Sequence, residues 1–302
     1  MTGPGAQQAL TASLIESGYW IDTGVPGVYG RTARFEAITG GFDALVQRFA
    51  AEDGAETRQF PPVMPTAVLV EAEYLQSFPE LCGCVHSFEG DEDGHARLLE
   101  AIAAGEEWGS RLNSARLALT PAACYPLYPT LRGTLPEGGR LVSLSSFIFR
   151  HEPSADPARL QSFLMRENVR IGAPDDVAEW RELWMARGIE LLEGLGLPVT
   201  LEVANDPFFG RGGRMLKANQ RADRSKFEIC LPVVAEQPTA LASFNYHRDK
   251  FSRTFDIRTV DGEYAHTACI GFGLERVAIA LLHTHGLDCA SWPREVREGL
   301  GI

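Results

Sequence analysis

Two runs of strand-like alternation, separated by a loop rich in structure breakers, constrain this chain more than any other feature. LVSLSSFIFRHE (141–152) has the β-branched and aromatic content of a strand, and RLQSFLMRENVRIG (159–172) returns to similar patterning. The intervening residues hold the Pro, Ser and Asp of a long hairpin loop. The two runs are therefore expected to pair antiparallel. Side chains alternate between faces along a strand, so Arg150 and Glu152 share one face of the first run. Arg159 and Phe163 open the second. Such a hairpin can hold a nucleotide, because guanidinium forks match phosphate and a phenyl ring can stack on a base. Taken alone, the same pattern also suits a sheet with solvated charges and one core phenylalanine.

The rest of the chain sets the fold class. Helical spacing covers 42–54, 66–78, 95–105, 175–194 and 273–286. Strand patterns cover 198–205, 226–235, 240–247 and 251–257, and a further strand opens 115–133 before it turns. Helices come first, then a strand-rich centre, then a strand–helix close. That order predicts an α+β fold with an antiparallel sheet. The Gly-rich first 35 residues are expected to be peripheral. No break in composition divides the 302 residues, so one domain, 1–302, is expected.

A second stretch sharpens the functional reading. GFGLERVAIALL (271–282) is a Gly-bracketed strand end that runs into a helix, with Arg276 in its first turn. A helix N-terminus and a guanidinium together favour an anion. Simple packing of a strand against a helix would also explain the glycines. The two stretches jointly resemble the class II aminoacyl-tRNA synthetases: FRHE–loop–RLQSF is similar to their motif 2, and GFGLERVAIAL to their motif 3. QFPPVMPTAVL (59–69) is compatible with motif 1, which builds the dimer interface in that family. The resemblance implies an antiparallel sheet flanked by helices, in a homodimer. It further implies that Arg150 holds the α-phosphate of ATP, Glu152 meets the adenine amine and Phe163 stacks on adenine. Arg159 and Arg276 would clamp the outer phosphates, and Arg150 and Arg276 would be the catalytic pair. Glu228, in KFEIC, stands where such enzymes place a Mg²⁺-binding carboxylate. Glu275 is expected to be structural.

Three separated residues narrow the resemblance. Cys124 in PAACYP, Glu167 in MREN and Cys269 in HTACIGFG match the zinc ligands of the atypical, archaeal-type seryl-tRNA synthetases and their short bacterial relatives. Cys₂Glu leaves an open zinc position, which would take a substrate's α-amino group. In ordinary seryl enzymes an acid is expected where Cys124 stands here. Without the family, each cysteine would read as a small buried hydrophobe. Cys82 and Cys84, in CGC, are read as structural. The histidines show no trustworthy ligand spacing to one another.

The acceptor follows from charge and size. Net charge is −12, a poor match to nucleic acid. The chain reaches its motif 1 region near residue 60, which leaves no room for the N-terminal tRNA-binding domain of a seryl enzyme. This combination resembles the amino acid:[carrier protein] ligases. The resemblance implies activation of glycine, or alanine, as an aminoacyl-adenylate, then transfer to the phosphopantetheine thiol of an acyl or peptidyl carrier protein. Asn245, Tyr246 and Ala268 are candidates to line the side-chain pocket. Carrier proteins are usually acidic, so Arg211, Arg214, Lys217, Arg221 and Arg224, within 211–226, form a candidate docking segment. A solvated loop is the alternative there. Two other readings remain open at this point: tRNA charging with a separate tRNA-binding partner, and a non-catalytic synthetase paralogue. With no basic leader, no apolar run long enough to span a bilayer and six scattered cysteines, a cytoplasmic location with reduced thiols is expected and no membrane partner.

Overall fold

The computed structural model describes residues 4–233 and 238–302; of Pro4, Arg211 and Gly212 only the backbone belongs to that description. The chain opens with helix α1 (Pro4–Glu16), a hairpin of β1 (Trp20–Val25) and β2 (Val28–Arg31), and helix α2 (Ala33–Glu52). These residues are not peripheral, contrary to the expectation for the first 35. Leu14, Tyr19 and Trp20 are buried in the same core as Phe35, Phe42 and Phe272. A few large side chains carry that packing, each burial contributing about 1.5–3 kcal/mol, so no extended periodic pattern marks it in the sequence.

Strands β3 (Glu56–Arg58) and β4 (Val63–Pro65) follow, then α3 (Thr66–Glu71) and α4 (Tyr74–Ser77). The single helix expected over 66–78 is broken at Glu73, whose φ of 56° lies in the left-handed region. β5 (Cys84–Ser87), α5 (Glu92–Ala103) and β6 (Asn113–Leu119) come next. The Asp91 side chain caps α5 by accepting from the Gly94 N–H at 2.9 Å. β4, β6 and β5 make a small antiparallel sheet in that order.

The remaining strands are β7 (Gly133–Thr134), β8 (Arg140–Phe149), β9 (Ser162–Gly172), β10 (Thr200–Val203), β11 (Lys226–Leu231), β12 (Thr239–Arg248), β13 (Ile257–Arg258) and β14 (His266–Gly273). Between and after them lie α6 (Pro174–Gly194), α7 (Gly210–Ala222), α8 (Lys250–Phe255), α9 (Leu274–His285) and α10 (Arg294–Leu300). The main sheet has seven strands in the order β10-β11-β12-β14-β9-β8-β3. It is antiparallel as expected, except that the edge strand β3 runs parallel to β8. β8 and β9 pair from Arg140↔Ile171 to Phe149↔Ser162, which is the hairpin read from the sequence.

One sheet face packs against α2, α6 and α9 in the larger core. On the other, Tyr128, Phe251 and Phe255 join Val169, Ile171 and Cys269 in a second core. This corrects the strand read over 251–257. Phe251 and Phe255 are four residues apart, which is helical spacing, and both are buried in α8 or at its end. Phe251 stacks on Tyr128 with centroids 4.2 Å apart. The strand read over 226–235 ends at Leu231, and residues 234–235 fall outside the described residues. No described helix is long and apolar enough to cross a membrane.

Candidate active site

Register across the main sheet gathers the site. On one face, Lys226, Asn245 and Cys269 are successive partners on β11, β12 and β14. The adjacent row runs Glu228, Ser243, Gly271 and Glu167, from β11 to β9. All of these residues line one cavity of about 300 Å³. Arg150, Glu152, Phe163 and Arg276 line it as well, so residues far apart in sequence share one space.

The end of the cavity around Phe163 is held by backbone. Arg150 follows β8; its N–H donates to Gln161 O at 2.8 Å and its Nε to Pro121 O at 3.1 Å. Arg276 donates from Nε to Ala158 O at 2.8 Å and from Nη1 to Ala240 O at 3.0 Å. The two guanidinium carbons lie 5.7 and 5.9 Å from the centre of the Phe163 ring. Burial and the neighbouring Arg150 and Arg159 charges lower the Arg276 pKa, so this end of the cavity is short of negative charge. Arg159 stands apart from the others. It does not line the cavity; its half-exposed side chain pairs with Glu152 at 3.1 Å.

The opposite end has excess acid. The donor atoms of Cys124, Glu167 and Cys269 all lie within 4.8 Å of one another, and all three residues are buried. Cys124 follows β6 in a turn, and its N–H donates to Glu167 Oε2 at 2.5 Å. The closeness of the two sulfurs, ahead of desolvation, drives their acidities apart: Cys269 is held well below the ordinary thiol range and Cys124 well above it. Burial, followed by the Cys269 charge, pushes Glu167 up to about 8. Cys269 ionises at the expense of Cys124 and Glu167, and a cation among the three would relieve that conflict. Two sulfurs and one oxygen, buried together, fit zinc and not the all-oxygen shells of Mg²⁺ or Ca²⁺.

The structure also brings in His247, Asp206 and Lys226, which spacing alone did not reveal. Asn245 Nδ2 lies 3.6 Å and His247 Nε2 3.7 Å from Cys269 Sγ, so the sulfur has polar company from β12. Tyr246 lines the cavity beside them, but Ala268 belongs to the larger core and does not. Lys226 Nζ, in a residue only 7% exposed, bonds Asp206 Oδ1 at 2.6 Å and Glu228 Oε1 at 3.0 Å. Burial opposes both charges of the Lys226–Asp206 pair. Even so, Lys226 and Gln220 keep Asp206 below its usual range, and the two carboxylates keep Lys226 above its own. Strand pairing places these groups together, and no local motif announces it. Cys82 and Cys84 are free thiols whose sulfurs lie 3.9 Å apart.

The basic segment 211–226 is mostly helix α7, not a solvated loop. Arg214, Lys217 and Arg221 follow helical spacing along one face; Arg214 and Arg221 are exposed and Lys217 is half-buried. Arg224 lies beyond the helix with its guanidinium 5.3 Å from the Phe227 ring centre. The Arg211 side chain lies outside the described residues.

No protein-family model matches the chain. Two curated proteins of Bradyrhizobium diazoefficiens, amino acid–[acyl-carrier-protein] ligases 1 and 2, are each 46% identical to it. Ligase 1 aligns over 282 residues, 92% of this chain and 86% of its own; ligase 2 aligns over 284 residues, 93% and 85%. The chain belongs to the amino acid–[acyl-carrier-protein] ligase family. The fold of this ligase is that of the class II synthetases. It superposes on Methanopyrus kandleri seryl-tRNA synthetase, solved with Aquifex aeolicus tRNA-Sec, with a TM-score of 0.81 at 23% identity, covering 96% of this chain and 60% of that one.

The buried Lys226 is expected to be a keystone of the ligase's cavity wall. Replacing it, Lys226→Met, leaves Asp206 and Glu228 facing each other without a counter-ion. Urea unfolding should show a loss of about 3–5 kcal/mol. A loss below about 1 kcal/mol would mean that water already screens the network.

Proposed function

We propose that this ligase activates a small amino acid, glycine first or alanine, with ATP, and passes it to the phosphopantetheine thiol of an acyl or peptidyl carrier protein. One observation carries the proposal: a cation-rich end around Phe163 and a buried Cys–Glu–Cys cluster share a single cavity. An amino acid bound beside ATP has the complementary layout, with phosphates at one end and an amine at the other.

Phe163 and Glu152 orient the adenine. Arg150 and Arg276 stabilise the charge that develops on the α-phosphoryl oxygens as the amino acid carboxylate attacks phosphorus and pyrophosphate departs. Their backbone bonds fix them in advance, so little reorganisation is needed. Arg159, paired with Glu152 outside the cavity, would have to leave that pair to reach the outer phosphates. Mg²⁺ arrives with ATP, and Glu228 is the carboxylate that fits it, with one oxygen on Lys226. Cys124, Glu167 and Cys269 would hold Zn²⁺; when bound, it supplies a Lewis acid with an open position for an uncharged α-amine. Tyr125, His247 and Phe251 crowd that end of the cavity, which favours a short side chain. The carrier thiol then attacks the activated carbonyl and AMP leaves, so no protein nucleophile is needed.

The Arg214–Lys217–Arg221 face of α7 suits an acidic carrier, despite a net charge of −12 for the whole chain. A homodimer built on the region around residues 59–69 and a cytoplasmic location complete the reading.

Two experiments probe it. Zinc stripping should abolish glycine-dependent ATP–pyrophosphate exchange, and added Zn²⁺ should restore it. Full exchange by protein without zinc would remove the metal from the account. In the Arg214→Glu/Arg221→Glu variant, transfer to carrier should slow about tenfold or more while exchange is kept, as for loss of electrostatic steering. Unchanged transfer would clear α7 of docking.

A further inference from the structure

The hairpin of β1 and β2 touches none of the cavity, yet it grips both nucleotide-holding segments. At its tip, the carbonyls of Pro26 and Gly27 accept from Gln161, from the side-chain Nε2 at 2.8 Å and the backbone N at 2.7 Å respectively. The Gln161 carbonyl in turn receives the Arg150 N–H. Gly27 has φ +77°, and a Cβ there would come within 3.3 Å of Arg159 O and Gln161 N, so only glycine lets the tip come this close.

At its base, Arg31 Nη1 reaches Glu275 Oε1 at 2.6 Å. The Glu275 side chain is 2% exposed and that of Arg31 12%. Both Glu275 oxygens also accept from the Leu164 N–H, at 2.8 and 2.9 Å. Leu164 follows Phe163, and Arg276 follows Glu275. One buried carboxylate therefore ties together the backbones that carry the ring and the guanidinium of the nucleotide end. Burial pushes Glu275 up to about 7, and the Arg31 charge beside it works against that rise and favours the ionised form. Arg31 itself is braced by Glu36, 2.8 Å from its Nε, and by the Phe147 ring, whose centre is 4.8 Å away.

We propose that the N-terminal hairpin is a positioning element for ATP: Arg31, through Glu275, and Gly27, through Gln161, hold Phe163, Arg276 and Arg150 in register for the nucleotide. The inference rests on these three residues forming the nucleotide end of the cavity. Its prediction is selective, because a residue that merely stabilises the fold would not separate ATP from the amino acid.

The test is ATP affinity by calorimetry on the full chain, with KM values for ATP and glycine from pyrophosphate exchange alongside. Arg31→Met and Gly27→Ala should each weaken ATP binding and raise KM for ATP about tenfold, with KM for glycine unchanged, as for a small misplacement of binding groups. Arg31→Lys should restore part of the affinity, and Glu36→Gln, which removes only the outer brace on Arg31, should weaken ATP binding less than Arg31→Met does. Unaltered ATP affinity in folded Gly27→Ala and Arg31→Met, whatever their thermal stability, would overturn the proposal. So would equal losses for ATP and glycine. If wild-type protein binds ATP but exchanges no pyrophosphate, the activity reading fails while calorimetry still decides this inference.

Discussion

The position of β9 between β8 and β14 is the constraint on which the rest of the molecule depends. Its register places Phe163 and Glu167 on the cavity face and gives Leu164 to Glu275. Strand side chains alternate with a period of two, so a slip of one residue would turn every one of these groups to the other side. The two cores on opposite faces of the sheet make that slip costly. Large buried side chains such as Phe244, Phe272 and Tyr128 would lose their sites at the same time.

Electrostatics then divides the cavity. At one end, guanidinium groups are held by carbonyl oxygens and lie over one ring, and burial, followed by the neighbouring arginine charges, lowers the Arg276 pKa. At the other, the ionisation of Cys269 is favoured and that of Cys124 and Glu167 is suppressed. Each end is unfavourable alone and each is relieved by a ligand of opposite sign. Between them, Lys226 compensates Asp206 and Glu228 internally. The same network reaches α7, because Gln220 bonds the Asp206 carboxylate at 2.8 Å. The helix with the basic face is thereby tied to the wall of the reacting space.

Much of the site was legible because its chemistry is concentrated in short stretches. Arg150, Glu152 and Phe163 sit around one hairpin, and Arg276 sits at one strand–helix junction. The hairpin pairing followed from alternation and the Pro-rich loop. What stayed hidden depends on pairing between distant strands. His247 lies near Cys269 only because β12 pairs with β14, and Lys226 meets Asp206 only after residues 204–208 fold back. The N-terminal hairpin was misread because its contribution lies in backbone carbonyls and one arginine, which leave no periodic trace. α8 was misread because two phenylalanines four apart, in a short segment between strands, resemble a strand until their common face is seen.

The central claim is that the activated amino acid ends on a carrier thiol. Its most direct measurement is mass spectrometry of a phosphopantetheinylated carrier protein from the same organism, after incubation with the enzyme, ATP and labelled glycine, with total tRNA present in the same mixture. The account predicts a carrier heavier by one glycyl group, attached to the pantetheine thiol, released by neutral hydroxylamine and absent when the carrier lacks the arm. Label recovered on tRNA, with the carrier unmodified, would contradict it.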